Sequence, residues 1–434
     1  MQLREEGVTS TEGVTSTVAG EVLRGHAGAS PENGKLAAMP RALVMLFACA
    51  CGLSVANVYY AQPLLDALGV DFGIGRGAVG GIITATQAGC AFALVFLVPL
   101  GDRLDRRRLM LGQAIALCAA LAVVTTASSA AWLLAGMAAV GLLGTAMTQG
   151  LIAYAATAAA AAERGRVVGT AQGGVVIGLL MARVLAGAIA DLGGWRAVYF
   201  TSAVLMLLLT GALWRALPQQ GPPSQRLPYL QLLSSMFTLL ATERVLQIRG
   251  VIAMLMFAAF SIFWSALVLP LSAPPHAFSH TVIGAFGLVG VAGALAAARA
   301  GHWADRGLGQ WTTGVALILL LASWLPLAFI AQSLRVLAIG IVALDLGGQA
   351  IHVTNQSMIF NTHPQAHSRL VSCYMLFYTI GSGVGAIAST TMYASAGWLG
   401  VCLLGAGISL LALVFWGLTL RYMPGRIRKP RLTI

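Results

Sequence analysis

Twelve apolar runs of about 20 residues each, separated by short polar loops, constrain this chain more than any motif does. A run of that length crosses a bilayer as an α-helix, and in lipid every backbone N–H and C=O must be satisfied within the segment. The chain therefore has to fold as a bundle of membrane-crossing helices. The runs fall at about 42–62, 78–100, 107–128, 131–154, 167–190, 196–217, 249–271, 282–300, 311–331, 335–360, 369–392 and 396–420. Hydrophobic residues make up 58% of the chain and charged residues 9%, proportions outside the range of a soluble globular protein.

The formal net charge of +12 does not imply a nucleic-acid partner, because the basic residues are dispersed into the loops. They segregate by side. Arg41, Arg103, Arg106, Arg107, Arg108, Arg164, Arg166, Arg215, Arg226, Arg244, Arg249, Arg299, Arg306, Arg369 and the cluster Arg421 to Arg431 fall on one side; only Arg76, Arg196 and Arg335 fall on the other. By the positive-inside rule both termini are expected in the cytoplasm. Residues 1–40 carry no signal-peptide run, and they contain EGVTST twice, at Glu6–Thr11 and Glu12–Thr17. This tail is expected to be disordered. Cys49, Cys51, Cys90, Cys118, Cys373 and Cys402 all sit in apolar runs and read as small packing residues, with no disulfide framework and no metal site.

The proline-bearing loop 218–248 divides the chain into a bundle at 41–217 and a bundle at 249–421, with a basic tail at 422–434. At an offset of 203 residues Asp102 falls on Asp305, Arg103 on Arg306, Arg166 on Arg369, and Gly194-Trp195 on Gly397-Trp398. The expected fold is all-α, twelve transmembrane helices in two pseudo-symmetric six-helix halves. The same offset sets Gln149 of the fourth span opposite His352 of the tenth.

The tenth run carries an unusual polar stripe. Asp345, Gln349, His352 and Gln356 share one helical face, with Asn355 beside them. Asp345 lies about 15 Å of rise from the end marked by Arg335, near mid-membrane, where a carboxylate costs about 2.5–3.5 kcal/mol. Either the stripe is a hydrogen-bonded seam between helices or it faces a water-filled cavity. Its three turns favour the cavity. Other candidates for the same lining are Asn57, Tyr60 and Gln62 on the first span, Gln87 on the second, Trp264 on the seventh, and Tyr374 and Tyr378 at i, i+4 on the eleventh. For any one of them, helix packing is the competing role.

The loop Val98-Pro-Leu-Gly-Asp-Arg-Leu-Asp-Arg-Arg-Arg108 and the loop Gly301-His-Trp-Ala-Asp-Arg-Gly-Leu-Gly309 resemble the GxLaDRxGRR signature of the major facilitator superfamily. Val98 and Asp105 stand where the first copy would carry glycines. The resemblance covers nearly all of residues 41–421 and implies a secondary transporter. It also implies that Asp102, Arg103, Arg106, Asp305 and Arg306 form a charge network at the cytoplasmic gate, against a plainer role as topology signals. Asn57-Val-Tyr-Tyr-Ala-Gln-Pro63, Glu163-Arg-Gly-Arg-Val-Val-Gly169 and Leu344-Asp-Leu-Gly-Gly-Gln349 resemble a bacterial branch close to drug:proton antiporters and sugar-efflux proteins, which implies a bacterial inner membrane.

That antiporter group carries a string ending roughly GPxxGG in the fifth span, where this chain has Gly178-Leu-Leu-Met-Ala-Arg-Val-Leu-Ala-Gly187. The proline is missing and Arg183 sits about 12 Å of rise inside from Asp191. It either pairs structurally or draws an anionic cargo into the cavity. Desolvation acts on the charge of both Asp345 and His352, which makes them the candidates for proton coupling. His276 and His280 share a face at i, i+4 with no carboxylate near them in the sequence, and His363 and His367 adjoin Arg369; neither pair is expected to bind a metal.

The expected function is proton-coupled efflux of small amphipathic or weakly polar molecules. The alternative is proton-coupled import of a metabolite such as an organic acid or sugar. No clustered nucleophile and base and no phosphate-binding loop point to an enzyme. A monomer working in lipid on a small-molecule substrate is expected, powered by the proton gradient and needing no cofactor.

Overall fold

The computed structural model describes residues 39–160, 162–217, 228–291, 299–360, 362 and 367–422, with the side chains of Asp102, Ala304, Asp305, Phe360, His367 and Ser368 outside that description. The expectations for the 1–38 tail, for 218–227, for His363 and for the 423–434 tail fall outside the described residues. So does the geometry of the Asp102, Asp305 and His367 side chains.

The described residues are almost wholly helical and carry no strand. Nine helices among them are long and apolar enough to cross a membrane. Two of these, Arg164–Ala216 and His367–Thr419, are double: each turns at a left-handed glycine, Gly194 at φ 78° and Gly397 at φ 64°. A side chain would be strained at either position, and the two stand 203 residues apart. The helix His280–Val289 begins a further crossing. The described residues thus accommodate the twelve spans, in the order read from the apolar runs.

The repeat extends to helix packing. A Cβ on Gly178 of the fifth span would lie 2.2 Å from the Gly52 carbonyl oxygen of the first. At the corresponding place in the second half, a Cβ on Gly381 would lie 2.1 Å from the Met254 carbonyl of the seventh span. Both contacts need bare backbone, because helices drawn together in lipid gain mainly from close packing.

Asp105, which takes the place of a signature glycine, serves as a helix cap. Its carboxylate accepts the Arg108 N–H at 2.8 Å, at the start of the third span, Arg106–Thr125. In the second copy Gly307 takes φ 84° at the matching turn.

One departure from the sequence reading lies between the halves. The stretch read as a loop over 218–248 contains a helix, Tyr229–Thr242, and the seventh span starts at Arg244 rather than 249. Pro228 stands at the N-cap of that helix, and Leu232 and Met236, four residues apart, are its buried side. Met236 packs with Leu370, Cys373 and Tyr374 of the eleventh span. On the other side, the Tyr229 hydroxyl donates to the Phe96 carbonyl at 2.8 Å, so the helix touches both halves.

Among the described residues, a series of hydrogen bonds joins the halves directly from mid-membrane to the end opposite the arginine-rich loops. Tyr59 and Tyr378 meet through their hydroxyls. Farther along, Thr84 Oγ1 donates to the Gly383 carbonyl at 2.7 Å, and the Gly80 N–H donates to Thr390 Oγ1 at 3.1 Å. Thr390 and Thr391 both donate to the Gly77 carbonyl at 3.0 Å. At the rim, His280 of the second half stands between Asp66 and Asp191 of the first. That end is closed.

Candidate functional site

Arg183 and Asp345 come from different halves and face each other across the interface. Each is only 4% exposed. The Arg183 Nε–H donates to Gln62 Oε1 at 2.9 Å, and the guanidinium lies 4.1 Å from the centroid of the Trp264 ring and 5.7 Å from that of Tyr59. Asp345 is within electrostatic reach of Arg183, although no ion pair forms between them. Trp264 also lies beside the Asp345 carboxyl, without closing a hydrogen bond through its buried indole N–H.

The eighth span makes room for both charges. A Cβ on Gly287 would meet Arg183 Cδ at 3.2 Å, and one on Gly290 would fall 2.2 Å from Asp345 Oδ2. A Cβ on Gly284 would fall 2.3 Å from the Arg183 carbonyl oxygen. Spaced by three, these glycines form a backbone groove over which the charged pair lies. Sequence reasoning passed over them, and their i, i+3, i+6 spacing was the available signal. A narrow cavity follows, lined by Gln62, Pro63, Arg183, Trp264, Leu267, Val268, Ile283 and Gly284.

The rest of the polar stripe divides. Gln349, His352 and Gln356, with Gln149 from the fourth span, are partly exposed on the arginine-rich side of the Arg183–Asp345 level. His352 is held there by a 2.9 Å hydrogen bond between Nδ1 and the Tyr374 hydroxyl, and its ring packs against Phe257 at 5.2 Å. Phe257 also meets Tyr378 edge to face at 4.2 Å, while Gln87 is buried beside Tyr378.

Three expected cavity residues do not face this interface. Asn57 on the first span is fully buried: its amide donates to the Leu53 carbonyl and its Oδ1 accepts the Ser202 hydroxyl at 2.6 Å. Tyr60 packs its ring on Tyr199 inside the first half. Asn355 turns into the second half, where its Oδ1 accepts Arg249 Nη1 at 3.3 Å. Helical spacing relates side chains on one helix, and the neighbouring helices then decide which of them meets the cavity.

Two further corrections concern charge. Arg249, read as a loop topology signal, is wholly buried, with Nη1 on Thr313 Oγ1 at 2.7 Å and with Nε and Nη2 unpartnered. His280, read as having no carboxylate near it, has two. Its Nε2 lies 3.1 Å from Asp66 Oδ1 and its Nδ1 3.3 Å from Asp191 Oδ1. Asp191 also accepts the backbone N–H groups of His280 and Thr281, capping the eighth span from the opposite half. The Asp66 hydrogen bond raises the His280 pKa above its ordinary 6.5, against the opposing effect of burial.

At the arginine-rich end, Arg106 donates from Nε to the Gly101 carbonyl at 3.0 Å and from Nη1 to Thr157 Oγ1 at 2.9 Å, tying the loop to the fourth span. Arg103 and Arg306 are exposed. Among the described residues no cluster of His, Cys, Asp and Glu has the makings of a metal site.

Comparison with known proteins decides the family. The Major Facilitator Superfamily model matches residues 44–312 and 249–433. The chain belongs to the major facilitator superfamily. It is 44% identical over 375 residues to the putative uncharacterized transporter YgaY of Escherichia coli K12, covering 86% of this chain and 95% of that protein. It is 31% identical over 379 residues to the probable transporter SCO4007 of Streptomyces coelicolor, covering 85% and 86%. In structure it resembles a bacterial homologue of the human lysosomal transporter Spinster, solved inward-facing and unoccupied, with a TM-score of 0.74 at 15% identity over 88% and 96% of the two chains. This is a multi-pass membrane transporter of that superfamily, and not an enzyme.

Proposed function

We propose that the transporter is a proton-coupled secondary carrier of small amphipathic molecules, in which Asp345 is the proton site and Arg183 its counter-charge. The observation that carries this reading is the placement of the two, one on each half, buried together without an ion pair. Protonating Asp345 changes the charge balance at the plane about which the halves move, and buried charge is costly enough for that change to bias one arrangement over the other. The partly exposed Gln149, Gln349, His352 and Gln356 supply a polar path on the arginine-rich side. With the arginine-rich loops and both termini in the cytoplasm of a bacterial inner membrane, that path opens inward and the closed end faces outward.

Direction depends on how the cargo treats Asp345. A neutral or cationic amphipath that binds the ionised acid exchanges with the proton and is exported. A cargo that binds when Asp345 is protonated travels with the proton and is taken up. The largely aromatic surroundings of Tyr59, Tyr378 and Phe257 suit the first; Arg183 favours the second.

The test is proton flux in proteoliposomes, with wild type beside Asp345→Asn, while drugs, sugars and organic acids are added in turn. Compound-driven proton movement is expected in wild type and is expected to fall by about tenfold or more in Asp345→Asn, with solute exchange across the membrane retained. Unchanged pH-driven transport in the variant would remove Asp345 from the coupling role.

A further inference from the structure

The narrow cavity above the Arg183–Asp345 plane has an uneven stock of unused polar groups. Arg183 Nε is taken by Gln62, whose Oε1 holds one of its two lone pairs to that bond. No hydrogen bond is made by Arg183 Nη1 or Nη2 among the described residues; beyond Gln62 the guanidinium has only the Trp264 and Tyr59 rings and the field of Asp345. The Trp264 indole N–H is buried with no acceptor. What Arg183, Gln62 and Trp264 still offer is chiefly donors, from residues 4%, 6% and 4% exposed. The buried, unmet indole N–H costs about 1–3 kcal/mol, and beside the Arg183 fork it favours a group rich in acceptors. Around them Pro63, Leu267, Val268 and Ile283 provide apolar walls.

We propose that this cavity, which in the present arrangement has room for about one water-sized group, widens as the halves move and takes the carboxylate of a small apolar acid on Arg183 and Trp264, and that Asp345 takes up one proton as the anion binds. The proposal rests on the transport reading above and names the cargo class for it. A carboxylate matches the guanidinium fork with two acceptor oxygens and leaves room for the indole donor. An amine would meet Arg183 as a like charge, and a neutral amide would bring a single acceptor oxygen to several donors.

Charge balance supplies the coupling. Arg183 and ionised Asp345 together are neutral; an added anion leaves one net negative charge in a dry interface, and one proton on Asp345 restores neutrality. The charged and titratable neighbours are few. Arg183 of the fifth span faces Asp345, Tyr59 and Tyr378 of the first and eleventh spans face the guanidinium, and the eighth span presents glycine. Anion and proton therefore favour each other's binding, by the reciprocity of linkage, and the pair crosses as an electroneutral unit. The inward proton gradient then drives uptake of the acid.

The experiment uses the purified full chain in detergent with benzoate, benzamide and benzylamine as probes of one shape and three charges. Melting temperature and proton uptake from a lightly buffered solution are read together. Benzoate is expected to raise the melting temperature in wild type and to take up about one proton per molecule bound, while benzamide and benzylamine do neither. Arg183→Gln is expected to weaken benzoate binding by about tenfold or more, the worth of a charge-assisted pair. Trp264→Phe keeps the ring under the guanidinium and removes only the indole donor, so it tests the site in a variant with the stacking intact; binding about fivefold weaker is expected. In Asp345→Asn benzoate binds without proton uptake. Equal binding of benzamide, benzoate binding indifferent to Arg183→Gln and Trp264→Phe, or binding by wild type without proton uptake would overturn the proposal. If benzoate fails to bind while other compounds still drive Asp345-dependent proton flux, the cargo class is wrong and the carrier stands. If benzoate binds as described but no compound moves protons in proteoliposomes, the anion site stands and the carrier reading fails.

Discussion

Asp345 keeps its position because the residue opposite it is glycine. An ideal Cβ on Gly290 would sit 2.2 Å from Asp345 Oδ2, closer than any real contact, so Gly290→Ala must push the carboxylate off the eighth span. Because the atom displaced is the end of a side chain and not backbone, the expected cost in stability is about 1 kcal/mol or less, and the main effect is an altered pH dependence of transport. Gly287→Ala, 3.2 Å from Arg183 Cδ, is expected to cost less. Thermal melts and a pH series of transport rates on both variants check this; a Gly290→Ala protein with wild-type values in both would show that the carboxylate has slack. At this scale the sequence exposed the unusual residues, Asp345 and Arg183, because charge within an apolar run stands out. It gave no sign that Asn57 and Asn355 are turned away from the interface, since each is occupied by a side chain more than 100 residues distant.

The eighth span shows what an element contributes beyond its own residues. Its first turn is capped by Ser279 from the same chain segment and by Asp191 from the other half, with His280 held between Asp66 and Asp191. A histidine whose pKa is raised in the folded state lends stability that is fully present below its unfolded value of 6.5 and is lost as pH rises through the folded value. The closed end is therefore expected to loosen as pH climbs above 6.5, and the melting temperature to fall with it. In His280→Gln that pH dependence should flatten. A melting series on both sides of neutrality measures it, and an equal slope in wild type and His280→Gln would dissociate the histidine from closure. The helix Tyr229–Thr242 is the counterpart at the arginine-rich end: a stretch that looks like a proline-rich linker buries Leu232 and Met236 once the eleventh span is there to receive them.

Across the whole molecule the two halves repeat each other in detail. Gly178 and Gly381 bring the fifth span onto the first and the eleventh onto the seventh, and Gly194 and Gly397 turn the chain at matching places. Gly381→Ala is expected to destabilise the protein by about 1–3 kcal/mol, because the added methyl meets backbone that cannot yield cheaply. Gly407→Ala, on the same long helix with nothing within 4 Å, is the control and is expected to be neutral or up to about 1 kcal/mol more stable through helix propensity. Denaturation of both variants in the same detergent tests the pair; equal loss in both would remove the close approach as the cause.

By itself the sequence determined the solvent, the helical class, the order of the spans and the two-fold repeat. Those properties follow from hydrophobicity and spacing along the chain, and lipid leaves an apolar segment of about 20 residues little choice but a helix. Only the tertiary structure decided which polar groups meet. Gln62 reaches Arg183 across 121 residues and His280 reaches Asp66 across 214, and neither distance leaves a trace in local pattern. Such contacts depend on how closely helices approach, and in this transporter that is set by backbone at a few glycines, whose partners become known only when the bundle has closed.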